Sequence, residues 1–226
     1  MIGPVGVAEL SLPAAIGVTL IEGIRRRDGA IVVNAVAALL AALTPVLLGS
    51  VLMVDRTAGS WSILSLWLGV AGFLHCLGML GWYESVWWWD HVTHTTSAAL
   101  VAAFLYAGFV ASSDASALAQ TLTAGGATVA VTVGAGVLWE LVELLARDLG
   151  ERFGVDPVLV HYGWRDTAFD LGFDVVGAVG IVLLDVRLFV PIADRFPAAT
   201  GALLRWSAGT VFVGVALLAV VVYRDR

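Results

Sequence analysis

A chain of 226 residues that is 60% hydrophobic and 13% charged carries more apolar surface than one soluble core accommodates. Soluble domains lie nearer half apolar and a quarter charged, so the excess points to lipid. Eighteen acidic residues against twelve arginines and no lysine give a net charge of −6, which argues against nucleic-acid binding, where clustered basic charge is needed.

About 20 apolar residues cross a bilayer, and the sequence divides into seven such stretches. The first, Val5 to Ile24, is the weakest, interrupted by Glu9, Pro13 and Glu22 and ended by Arg25, Arg26 and Arg27. No basic cluster precedes it, so the reading keeps it as a span and not as a cleaved leader. The second runs from Ile31 to Val54 and is closed by Asp55 and Arg56, and the third from Trp61 to Tyr83. His91 to Ala111 forms the fourth and Thr121 to Leu145 the fifth. A polar connection from Arg147 to Asp166 leads to the sixth, Thr167 to Val190, and Gly201 to Tyr223 is the seventh. The lone Cys76 sits in an apolar run as a small buried side chain and excludes a disulfide or cysteine-based zinc site within the chain. The expectation is one all-α integral membrane domain, a polytopic bundle of six or seven spans in the cell membrane. A lysine-free chain rich in Ala, Val and Gly also suggests a prokaryotic source.

Cytoplasmic loops carry the arginine excess. Alternating the spans puts Arg25, Arg26, Arg27, Arg147, Arg152, Arg165, Arg224 and Arg226 on one side and Arg56, Arg187, Arg195 and Arg205 on the other. The first group marks the cytoplasmic face, with the N-terminus outside and the C-terminus inside. Trp82, Trp87, Trp88, Trp89, Trp139 and Trp164 fall near that same interface, where amphipathic rings settle.

The same alternation gathers ionisable residues from distant segments at one membrane level. Asp90, His91 and His94 begin the fourth span, Glu140 and Glu143 end the fifth, and Asp166, Asp170 and Asp174 begin the sixth. Asp90 and His94 are four apart and Glu140 and Glu143 three apart, so each pair shares a helix face. The three aspartates form a stripe of about 12 Å at 1.5 Å per residue. A carboxylate at the centre of a bilayer costs roughly 2.5–3.5 kcal/mol and so turns to the protein interior and finds partners. Crowded like charges raise one another's pKa and need a shared proton, an arginine (Arg147 and Arg165 are nearest in sequence) or a cation. Mixed carboxylates and imidazoles suit a divalent metal such as zinc, manganese or iron. Asp90, His94, Glu140, Glu143, Asp166, Asp170 and Asp174 are the candidate ligands, with Asp170, Asp174 and Glu140 the candidates for catalytic work.

Each member also has an ordinary reading. Glu140 and Glu143 could be a solvated helix edge, His91 and His94 interfacial polar residues, and His75 a satisfied buried histidine. Glu9 and Glu22 would mark span edges and Glu84 a rim charge. Asp170 and Asp174, inside an apolar span, resist such a reading best.

The elements Asp90-x-x-x-His94, Trp139-Glu140-x-x-Glu143 and Asp166-x-x-x-Asp170-x-x-x-Asp174-x-x-Gly177 resemble the YjdF-like family of small integral membrane proteins and, more loosely, VanZ-like proteins. The resemblance implies the helical membrane fold and the acidic site without naming a reaction. Three functions fit: a metal-dependent enzyme on a lipid or polyprenyl headgroup, a cation or proton transporter or channel, and an accessory subunit of a membrane assembly. The interfacial depth of the cluster favours the first, since transporters usually bind near the midplane in broken helices. Membrane lipids are the expected partners, a homo-oligomer is compatible, and nucleic acid is not expected.

Overall fold

The computed structural model describes residues 4–52, 59–113 and 117–224. Val54, Asp55, Arg56 and Arg226, used above, lie outside the described residues. Among those described, the regular structure is helical and no strand occurs, as the composition leads one to expect. Five helical stretches are long and apolar enough to cross a membrane: Gly29–Val51, Ser60–Ser85, Trp89–Ala111, Leu122–Phe153 and Pro197–Val221. By contacts the chain divides into two compact units, Met1–Thr93 and His94–Arg226.

In the first unit, α1 (Pro4–Arg26) and α2 (Gly29–Val51) form a tight helical hairpin. Arg27 takes the left-handed conformation at φ 57°. The amides of Arg27 and Asp28 then bond back to Ile24 and Gly23, at 3.1 and 3.0 Å, satisfying carbonyls that the helix end leaves open. Asp28 in turn caps α2 by accepting from the Ile31 amide at 3.1 Å. Arg25 and Arg26 both reach Glu22, at 2.6 Å, so one carboxylate offsets part of the charge at the basic helix end. α3 (Ser60–Leu77) packs on both, and its buried Ser65 donates to the Ala42 carbonyl at 3.1 Å. Ile16, Ala35, Ala38, Ala42 and Cys76 form the core, where small alanines let helices approach and Cys76 fills space as expected. α3 runs on through a π-turn, Gly78–Trp82, into the single turn α4 (Tyr83–Ser85). Gly81, at φ 112°, makes the bend that an L side chain would resist.

α5 (Trp89–Ala111) begins in the first unit and continues into the second, which also holds α6 (Ala117–Phe153), α7 (Trp164–Leu183), α8 (Val190–Arg195) and α9 (Pro197–Arg224). α6 has 37 residues, about 55 Å at 1.5 Å each, well beyond a hydrocarbon layer of about 30 Å. It continues past Leu145 through the charged turn around Arg147, so the polar connection to α7 reduces to residues 154–163. Gly154, at φ 64°, closes that end, with the Val155 amide bonding the Gly150 carbonyl at 3.1 Å.

Within this unit α6 packs on α7 and α9, with Leu105, Val131 and Val211 in the core between α5, α6 and α9. Glycines set two approaches. A Cβ on Gly177 of α7 would lie 2.6 Å from the Thr95 carbonyl oxygen and 2.9 Å from the Ala99 amide of α5. A Cβ on Gly136 of α6 would collide with the Asp174 carboxylate. At its far end α7 closes on Asp185, in the left-handed conformation at φ 49°. The carboxylate of Asp185 accepts from the hydroxyl of the fully buried Tyr106 at 2.7 Å and from Arg187 at 2.8 Å.

Candidate functional site

The second unit brings together residues from α5, α6, α7 and the connection at 154–163. α5 presents His94, 14% exposed in its side chain, to two aspartates one turn apart on α7. Its Nδ1 lies 3.2 Å from Asp174 Oδ1 and its Nε2 lies 3.9 Å from Asp170 Oδ1. Asp170 and Asp174 are buried, at 2% and 5% exposure. That geometry depends on the two glycines: Gly177 lets α5 and α7 touch backbone to backbone, and Gly136 leaves the hole on α6 that Asp174 occupies.

Glu140, one turn beyond Gly136, is 4% exposed. Its Oε2 accepts from the Thr167 hydroxyl of α7 at 2.7 Å, while Oε1 is buried without a hydrogen-bond partner. Leaving a buried acceptor unsatisfied costs about 1–3 kcal/mol. The charges of His94, Asp166 and Asp174 all act on this carboxyl. Glu143, one turn on, accepts from the Trp139 indole at 2.8 Å. One donor atom each from Glu140, Glu143 and His161 lie within 4.8 Å of one another.

Of the residues expected from sequence, His94, Asp170, Asp174, Glu140, Glu143 and Asp166 belong to one unit: His94 meets Asp170 and Asp174, and Glu140 feels His94, Asp166 and Asp174 and lies near Glu143. Asp90 stands one turn before His94 on α5, in the first unit, where the Thr93 hydroxyl bonds its carbonyl at 2.7 Å and its carboxylate at 3.2 Å. The arginines offered as counter-ions are engaged elsewhere. Arg147 binds Asp148 at 2.6 Å, and Arg165 lies over the Trp164 ring at 5.5 Å. The close partner of Asp174 is His94 instead, because the α5–α7 contact puts an imidazole where no arginine stem starts.

His161 is the residue the sequence reading missed. The signal was there: a histidine in the link between two acid-bearing helices. A loop position, however, has no helical periodicity to assign it a face. His75 has its ordinary reading, with Nδ1 2.6 Å from the Tyr83 hydroxyl and Nε2 3.0 Å from Asn34 Oδ1. Glu84 is exposed, as a rim charge should be.

No curated protein and no solved structure matches the chain. A family model described as a predicted membrane protein family (DUF2238) matches residues 8–190, which takes in every residue of the site and agrees with the resemblance to YjdF-like proteins. The chain therefore belongs to the DUF2238 family of membrane proteins.

Proposed function

We propose that this protein is a cell-membrane enzyme that acts, with a divalent cation, on the headgroup phosphate of a lipid or polyprenyl carrier at the cytoplasmic interface. The observation that carries the reading is the buried set itself: His94 between Asp170 and Asp174, with Glu140 beside them on α6. Three carboxylates in an apolar surrounding are costly unless a cation or shared protons offset their repulsion. A neutral His94 donating from Nδ1 to Asp174 leaves Nε2 facing Asp170, and that nitrogen can then bind a metal, as carboxylate-oriented imidazoles do. A cation there would neutralise phosphate oxygens and polarise a water, with a carboxylate as base. Asp170 and Glu140 are the residues assigned to that work, and Asp174 positions His94.

The test is release of inorganic phosphate from lipid and polyprenyl phosphates by the protein in liposomes, with manganese, zinc or magnesium supplied. Asp170→Asn should lower the rate at least a hundredfold. If wild type with every metal turns over none of these substrates, the reading is wrong.

One observation favours movement of protons or cations as a second reading. Thr132 and Thr128, one and two turns before Gly136 on α6, are buried with hydroxyls that have no hydrogen-bond partner. Buried polar groups of this kind are commonly satisfied by water, and here they continue the line of Glu140 and Gly136 past the middle of the helix toward its N-terminal end. Flux of protons into liposomes that Thr132→Val abolishes would support this alternative over the enzyme.

A further inference from the structure

We propose that Glu140, Glu143 and His161 form a transition-metal centre, with His161 supplied by the connection at 154–163. This rests on the acidic site described above but not on any lipid chemistry, and would hold for an enzyme or a transporter alike. Three observations converge on it. The donor atoms already lie within 4.8 Å of one another. A metal about 2.0–2.2 Å from each donor draws them to roughly 3.4 Å apart in tetrahedral geometry, a contraction that two glutamates and a loop histidine can absorb by small rotations.

Both carboxylates are also held from behind. Thr167 bonds Glu140 through Oε2 at 2.7 Å, and Trp139 bonds Glu143 through Oε1 at 2.8 Å. Such outer hydrogen bonds commonly orient metal ligands. Finally, Glu140 is 4% exposed and its Oε1 has no hydrogen-bond partner. A cation supplies what that oxygen lacks.

The donor set selects the class of ion. Calcium and magnesium take six or more oxygens or keep several waters. One imidazole with two carboxylates suits zinc, cobalt, manganese or iron. Two carboxylates also match a divalent charge, so the filled centre is neutral and compatible with a place near lipid.

The experiment uses the full chain in detergent, titrated with cobalt(II) and followed by the visible d–d absorption that low-coordinate cobalt shows. The expected result is one equivalent bound at His161, over and above any held at His94, displaced by zinc and retained in a large excess of magnesium. His161→Ala should weaken cobalt binding at least tenfold and change the spectrum, and Glu143→Gln should do the same. Glu143 is only half-buried, so its variant gives a test that does not depend on the loop folding normally. The part of the spectrum that these two variants remove should persist in His94→Ala. A folded wild type that binds no cobalt overturns the proposal, as does a spectrum indifferent to His161→Ala and Glu143→Gln. A spectrum that changes only with His94→Ala also overturns it, placing the ion between α5 and α7. Failure of phosphate turnover in liposomes would leave the cobalt result standing, so the two readings fall separately.

Discussion

The two units each hold a histidine inside an apolar helix, and the two are treated in opposite ways. His75, in the first unit, meets neutral partners. Asn34 offers it an oxygen at 3.0 Å while the Asn34 amide nitrogen donates to the Ala30 carbonyl at 2.8 Å. Nε2 of His75 therefore carries the proton, and Nδ1 accepts from Tyr83, 2.6 Å away. Each ring nitrogen then has an uncharged partner. His94, in the second unit, has a carboxylate near each nitrogen, at 3.2 and 3.9 Å. A neutral ring can donate to only one of them, so the second contact calls for a proton shared with the carboxylate or for a cation. What its two nitrogens face thus separates a satisfied histidine from one open to a proton or a cation, and composition alone does not distinguish the cases.

The contrast breaks most completely if the wall behind His94 is moved. Gly177→Val should drive α5 from α7, because its Cβ would press on backbone atoms that cannot rotate away. Overpacking of this kind costs about 1–3 kcal/mol or more, and thermal melting followed by tryptophan fluorescence should fall sharply. An unchanged melt would mean that the two helices do not meet as described.

Asn34→Leu sharpens the other side. It strands the Nε2 proton of His75, at a cost of about 1–3 kcal/mol. The loss should be identical with a divalent metal and with a chelator, since the contact removed joins two uncharged groups. A metal-dependent loss would move His75 into the functional set.

The smallest expected effect is that of Asp174→Asn. The amide oxygen can still accept from His94, while one charge leaves the crowd around Glu140. Melting of the metal-free protein should stay level or rise by up to about 1 kcal/mol, the scale of one pKa unit. A fall of ~3–5 kcal/mol would instead mark Asp174 as one half of a buried ion pair.

Most of the helices were legible because apolar length is a property of local sequence. Asp170 and Asp174 stood out for the same reason, as charges where the local pattern forbids them. What escaped depended on side chains far apart in sequence. Thr167 looked like the start of a span, yet it orients Glu140. Arg147 looked like a counter-ion, yet its neighbour Asp148 takes it first. The extension of α6 to Phe153 was hidden because charged residues read as loop in a hydropathy argument, although in water or at an interface they are good helix formers.

Gly136 has a consequence for how this site can change over generations. Its missing side chain is the space that the Asp174 carboxylate fills, so the two positions are not independent. A lineage that first loses the carboxylate can later fill the hole with alanine at little cost. The reverse order disturbs the site, because alanine at 136 while Asp174 remains pushes the carboxylate from its place beside His94. Among relatives, glycine at the position of Gly136 should therefore accompany aspartate at the position of Asp174, and a larger residue should appear only where that aspartate has gone.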